Sequence, residues 1–220
     1  MSYEDSIILL GPMHVGKSTM AIKLWQKYLF EFINCDYLFD YYFIKSKKNK
    51  DYFNRLLEEK GFDQCSKETD IFLYAFSKEI LDMAREVGLM SIIDFGGNHI
   101  AYKDEKLNSL IINELKDFKN VIVLLPYEDK KKTFEYFRKL FSDSLVIKIN
   151  EYIYECLTNN FTEFKTFYIN NQTEDQLFNQ IDEYINRKNK LDRSKVLTIE
   201  KSLEIRKITN RHFPNAFNIK

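Results

Sequence analysis

The sequence predicts a three-layer α/β domain in which a five-stranded parallel sheet is flanked by helices. Apolar runs at 6–10, 32–33, 90–93, 121–125 and 166–169 alternate with stretches of helical periodicity, the order expected of parallel strands joined by crossover helices. The first run ends in GPMHVGKS at 11–18, which satisfies the pattern G-x-x-x-x-G-K-(S/T) at every required position. Two other runs end close to carboxylates, Asp36 and Asp94, at the end of the strand where a parallel sheet opens towards a ligand.

Each element follows from its residues. SIILL at 6–10 reads as a buried parallel strand, and TMAIKLWQKYLF after Ser18 has helix spacing, with Met20, Leu24 and Tyr28 four apart and Trp25 beside them. Between them the glycines at 11 and 16 let the chain curl so that its N–H groups point inward at phosphate oxygens. The segment Gly11, Pro12, Met13, His14, Val15, Gly16, Lys17, Ser18 and Thr19 is therefore the predicted nucleotide cradle. Lys17 supplies a mobile charge for the outer phosphates, and the Ser18 hydroxyl is placed to ligate the Mg²⁺ that bridges them.

Phe32 and Ile33 form a short second strand that closes on Asn34, Cys35 and Asp36. Asp36 can orient or deprotonate an acceptor hydroxyl, or cap a helix starting near Tyr37; Asp40, one turn on, is a weaker candidate for the first role. Helical patterns over 51–60 and 67–87 follow, with an apolar face from Ile71, Leu73, Tyr74, Phe76, Ile80, Leu81 and Met83 and a C-cap at Gly88. This pair is the expected acceptor-binding layer. LMSIIDFGGNH at 89–99 reads as a strand closed by Asp94, placed to share a Mg²⁺ ion with Ser18. Gly96 and Gly97 permit close backbone approach to a ligand or a tight turn, and His99 reads as a local hydrogen-bonding residue. A helix over 104–118, a strand at 121–125 stopped by Pro126, and a basic helix over 130–144 come next. The last strand, 166–169, leads into a turn at Asn170, Asn171 and Gln172 that lies where a purine ring can be held, and a helix starts at Thr173.

Composition bounds the rest. The chain has 220 residues, enough for one domain with a sizeable core, and its 33 Lys plus Arg balance 33 Asp plus Glu. Zero net charge argues against a chain-wide nucleic-acid surface. No stretch approaches the roughly 18 apolar residues of a membrane span, and MSYEDS does not resemble a signal peptide, so a cytoplasmic protein is expected. Cys35, Cys65 and Cys156 are isolated and expected as free thiols, without zinc or disulfides.

These features together resemble the shikimate-kinase-like branch of the P-loop small-molecule kinases, within the nucleoside/nucleotide-kinase-like P-loop NTPase superfamily. The resemblance spans about 6–185 and rests on GPMHVGKST at 11–19, NCD at 34–36, DFGGN at 94–98, LLP at 124–126 and YINNQTED at 168–175. It implies a P-loop fold with a lid at about 127–145, and transfer of the γ-phosphoryl group of ATP to a hydroxyl. By position it implies that Lys17, Asp36 and Arg138 are catalytic, Arg138 acting from the lid, that Gly96 and Gly97 line the acceptor pocket, and that Asn171 lies beside the nucleotide base. In this chain Asn34 replaces an acid and Asn98 a glycine, while 61–68 has no arginine for a substrate carboxylate. Shikimate itself is thereby set apart from the expected acceptor.

The kinase-like domain is expected to occupy 1–186 and a basic helical extension 187–220. Residues 187–211 hold nine Lys or Arg against three acidic residues, with Val196, Ile199, Leu203 and Ile208 on one face. Packing on the domain, binding a protein partner and binding an anionic polymer are the roles open to it. The expected activity is ATP- and Mg²⁺-dependent phosphoryl transfer to a small hydroxylated molecule. The alternatives are a nucleoside or nucleotide kinase, and a nucleotide-dependent switch ATPase that uses the basic tail on a partner. The absence of an N-K-x-D guanine signature favours ATP.

Overall fold

The computed structural model describes residues 2–46, 50–188 and 199–214. Five parallel strands, β1 (Ile7–Leu10), β2 (Glu31–Asn34), β3 (Ser91–Asp94), β4 (Asn120–Leu125) and β5 (Lys165–Tyr168), lie in the order β2-β3-β1-β4-β5. Because β1 has β3 on one side and β4 on the other, the chain reverses direction across the sheet at β1, and a crevice opens at its carboxyl end. Register then decides what faces that crevice. Leu9 and Asn34 both pair with Asp94, so the ends of β1, β2 and β3 converge on one point.

The central strands are buried on both faces, as continuous apolar runs require. Ile8, Leu10, Ile93, Val121 and Val123 face one core, and Ile7, Leu9, Ile92, Ile122 and Leu124 face the other. The second core is covered by α1 (Lys17–Tyr28) and α7 (Glu174–Lys188) through Met20, Leu24, Leu177 and Ile181. The first is covered by α2 (Cys35–Ser46), α3 (Lys50–Val87), α4 (Glu105–Leu115), α5 (Lys130–Leu140), α6 (Ser144–Asn160) and α8 (Ile199–His212). The three layers and five strands agree with the sequence expectation.

Several boundaries differ for local reasons. The two helices expected at 51–60 and 67–87 abut within α3 at Gly61, whose φ of 76° and ψ of 175° break the helical path. The expected helix over 130–144 ends at Leu140, and a separate helix, α6, starts after Asp143, which accepts hydrogen bonds from the N–H groups of Leu145 and Val146. Ile71 and Trp25 point outwards, with 59% and 42% exposure, although the other residues expected on each face are buried or, for Tyr74, half-buried. The three cysteines are free thiols. No helix of the described residues is long and apolar enough to cross a membrane.

The described part of the C-terminal extension packs on the domain. α8 lies along α3, burying Ile205 and Ile208, while Phe213 just beyond it is fully buried. His212 bridges Glu79 and Glu86 at 2.7 Å each, and Arg211 pairs with Glu86 at 2.6 Å. Val196 and the basic residues at 190, 193 and 195 lie outside the described residues. The packed face of α8 lends no support to a protein partner.

Candidate active site

The phosphate loop joins β1 to α1 and is held from below by Val15, which is fully buried. Gly11 has φ 151°, and a Cβ there would lie 2.3 Å from the Leu124 carbonyl oxygen, so no larger residue fits this turn. Gly16, at φ 81°, turns the chain into the first residue of α1. From that turn Lys17 reaches back, its Nζ donating to the Pro12 carbonyl at 2.7 Å. Burial lowers the Lys17 pKa to about 8, against the opposing pull of Asp94 and Asp36. Lys17 therefore remains largely a cation at neutral pH, and it faces two carboxylates.

Ser18 and Asp94 meet as their sequence motifs predict, the Ser18 hydroxyl donating to Asp94 Oδ2 at 2.6 Å. Asp94 is buried, and its pKa is raised because the burial effect exceeds the support of Ser18 and Lys17. Among the described residues, no cluster of three or more His, Cys, Asp or Glu can hold a metal. A hydroxyl and a carboxylate nevertheless suit Mg²⁺, which takes one or two protein oxygens and completes its shell with phosphates and water.

A cavity of about 350 Å³ gathers Met13, His14, Gly16, Lys17, Ser18 and Thr19 with Asp36, Gly96, Gly97 and Asn98. Gly11, Pro12 and Val15 form its buried foundation. Asp36 sits in the first turn of α2 and projects into this space with 72% of its side chain exposed. The capping role open to it belongs to Asn34 instead, whose Oδ1 accepts from the Tyr37 N–H at 2.9 Å. Asp40 is exposed one turn away and does not line the cavity.

Gly96 and Gly97 line the cavity, but their lack of side chains serves neighbouring protein atoms. A Cβ on Gly96 would fall 2.4 Å from Asp36 Oδ1, and one on Gly97 would fall 2.7 Å from the Gly11 carbonyl. His99, behind Gly96, is 2% exposed and packs between Phe39 and Phe76 at centroid distances of 4.8 and 5.0 Å. Its Nε2 lies 3.8 Å from Asp36 Oδ1, its Nδ1 is buried without a partner, and burial holds its pKa down to about 3. The ring is neutral, so it and Asp36 do not form an ion pair.

Two expected residues lie elsewhere. Arg138 pairs with Glu151 at 2.8 Å and stacks over Phe134, and it does not line this cavity. Its helix does touch the phosphate loop, through the Tyr136 hydroxyl on the His14 carbonyl at 3.2 Å and through Phe141 packed on the His14 ring. Asn171 holds the turn after β5 with φ 58°, and it is Asn170 that lines a second cavity, of about 450 Å³, with Tyr127, Lys132 and Tyr168.

Asn150 on α6 was not foreseen. It is fully buried, accepts from the Met13 N–H at 2.7 Å and donates to the Val146 carbonyl at 2.8 Å. Its signal is a polar residue within the apolar stripe of Val146, Ile153 and Leu157, behind an Asp143 N-cap.

No protein-family model matches the sequence, and no curated protein matches it. Solved structures do share its architecture. A shikimate kinase from Acinetobacter baumannii in complex with shikimate superposes with a TM-score of 0.51 at 18% identity, over 85% of this chain and 95% of the other. A gluconokinase from Sinorhizobium meliloti superposes at 0.50 and 11% identity, over 85% and 94%. At such identities the likeness is one of fold, and the phosphate loop, the Ser18 and Asp94 pair and the sheet order agree with it: the chain has the fold of the P-loop small-molecule kinases.

Proposed function

We propose that the protein is an ATP- and Mg²⁺-dependent phosphotransferase that moves the γ-phosphoryl group to a hydroxyl of a small molecule. One observation carries the reading: Lys17, Ser18 and the exposed Asp36 carboxylate line one cavity, and Ser18 donates to the buried Asp94 at 2.6 Å behind it.

In this reading the inward N–H groups of the loop and Lys17 bind the β- and γ-phosphates, whose charge offsets the desolvation that lowers the Lys17 pKa. Ser18 and Asp94 hold Mg²⁺, which when bound neutralises phosphate charge. Asp36 accepts the proton of the acceptor hydroxyl. That oxygen forms its bond to the γ-phosphorus as the bond to the β–γ bridging oxygen breaks, leaving ADP and a phosphomonoester. Gly96 and Gly97 bound the acceptor side, and the Asn170 and Asn171 turn borders the nucleotide base. Arg138 joins only if its helix moves, since Glu151 now holds it.

The proposal assigns residues 1–186 to the kinase domain, with a lid at about 127–145, and 187–220 to an extension serving that domain; a cytoplasmic location is part of it. A screen of hydroxylated metabolites with γ-labelled ATP and Mg²⁺, run beside Lys17→Ala, tests the activity. Labelled product from the parent protein and none from the variant is expected. Equal transfer by both would sink the assignment of the loop.

A further inference from the structure

We propose that His99 is the positioning residue for Asp36: its imidazole donates from Nε2 to the Asp36 carboxylate and holds that carboxylate towards the acceptor hydroxyl. This rests on the phosphotransferase reading and adds a residue to that same site.

Gly96 marks where the two side chains approach each other. Its φ of −59° and ψ of 143° are open to any residue, so its backbone conformation does not call for glycine. The need comes from space. A Cβ there would fall 2.4 Å from Asp36 Oδ1, 2.7 Å from His99 Cε1 and 2.9 Å from His99 Nδ1. The missing methyl group therefore lets the carboxylate and the polar edge of the imidazole meet, and Nε2 stands 3.8 Å from Oδ1.

Of the two groups the ring is the fixed one. The His99 carbonyl accepts from the hydroxyls of Ser77 at 2.5 Å and Tyr102 at 2.6 Å, and its N–H donates to the Gly96 carbonyl at 3.0 Å. Phe39 and Phe76 hold the ring itself. Asp36 is exposed in the first turn of α2, where rotation of its side chain closes the remaining gap, about 1 Å, to an N–H···O bond. Hydrogen bonds of this kind are often long until substrate binds.

Packing alone does not account for a histidine here. A third apolar ring would fill the place between Phe39 and Phe76 without taking two ring nitrogens out of water. Burial and the charge of Lys17 keep the imidazole neutral, so it carries one N–H. Among the described residues Nδ1 is buried with no partner, and Nε2 is the nitrogen with an acceptor in reach. The proton therefore belongs on Nε2, which leaves Nδ1 as an unpaired acceptor, a lesser cost than an unpaired donor. A neutral ring neither takes the proton of the hydroxyl nor cancels the carboxylate charge. Asp36 remains the base, with one oxygen tied back to His99 and the other facing the acceptor.

Long-range ¹H–¹⁵N NMR of protein carrying labelled histidine, with a non-hydrolysable ATP analogue and Mg²⁺ bound, reads the ring directly. His99 is expected to be neutral with its proton on Nε2, and Asp36→Ala should move that proton upfield while the His212 signals stay in place. Transfer assays with labelled ATP read the consequence. His99→Phe should lower kcat about tenfold with the KM for ATP changed less than about twofold. His99→Gln places an amide nitrogen near the position of Nε2 and should recover most of that loss. Transfer by His99→Phe at the parent rate overturns the assignment and leaves the kinase reading standing, and so does an equal loss in both variants. A proton on Nδ1, or an Nε2 signal indifferent to Asp36→Ala, overturns it as well. A ring that responds to Asp36→Ala in a protein that transfers phosphoryl to no acceptor supports the pairing and overturns the kinase reading.

Discussion

Around Lys17 the site is one short loop met by residues from the ends of β2 and β3, whereas around Phe43 side chains come together from α2, α3 and the 97–99 turn. The donor region owes its shape to two glycines and a buried Val15, held against the ends of β1 and β3. The space beside Phe43 owes its shape to helix packing, and its polar lining comes from Asn54, Thr69 and Asn98. Charge follows the same division. Lys17, Asp36 and Asp94 cluster beyond the carboxyl ends of β1, β2 and β3, and among the described residues no charged one lines the space beside Phe43. The phosphate loop is thus set by a short motif, while the aromatic cluster is assembled from segments far apart in the chain.

The hardest test of that division is Lys17→Ala. Loss of its charge should lower kcat/KM for transfer from labelled ATP on the order of 10³-fold. Unchanged transfer would remove Lys17 from the phosphate site. Asp94→Asn should follow, lowering kcat about 10²-fold and moving the Mg²⁺ concentration for half-maximal activity upward, because Ser18 would keep a hydrogen-bond partner but the metal would lose its carboxylate. An unchanged Mg²⁺ dependence would remove Asp94 from the metal site.

The same division explains what could be read from the sequence. GPMHVGKS states its own loop because each position has a local job, and Asp94 follows an apolar run that β3 realises as a strand. Asp36 was foreseen near the phosphates, but Asn34 proved to be the cap, since a residue at the strand end precedes the helix that Asp36 has already entered. Arg138 could not be placed because its partner, Glu151, sits on α6, a helix whose amphipathic pattern begins only after Asp143. Gly96 and Gly97 were assigned to ligand approach, yet the atoms they make room for belong to Asp36, His99 and the phosphate loop.

His99 probes the boundary between the regions through pH. Its pKa is ordinarily 6.5 and burial lowers it to about 3 in the folded protein. As pH falls below 6.5 the unfolded chain takes up a proton that the folded chain refuses, so stability present at pH 7 is lost progressively towards pH 3. At pH 5 the loss is about 2 kcal/mol. His99→Phe keeps a ring between Phe39 and Phe76 and leaves the His99 carbonyl free to accept from Ser77 and Tyr102. Chemical denaturation at pH 7 and pH 5 should show a smaller acid-induced loss in the variant; the same loss in both would mean that another group carries the effect.

Among the described residues Asn150 is the one side chain of the helical layer that bonds a phosphate-loop N–H, and its removal should give the smallest of these effects. Asn150→Ala deletes the acceptor for the Met13 N–H and opens a small gap beneath the loop, a loss of about 1–2 kcal/mol. Packing alone would lower stability and leave kinetics untouched. If α6 also sets the position of the loop, the KM for ATP should rise several-fold with kcat nearly constant, and Asn150→Gln should not rescue it, because the longer amide cannot meet Met13 in a fully buried site. Asn150→Asp keeps an oxygen in the same place, so it should recover the Met13 bond but set a negative charge beside the loop, raising the KM for ATP above that of the alanine variant. A KM that does not respond to any of the three would make Asn150 a packing residue and leave the donor region dependent on its own motif alone.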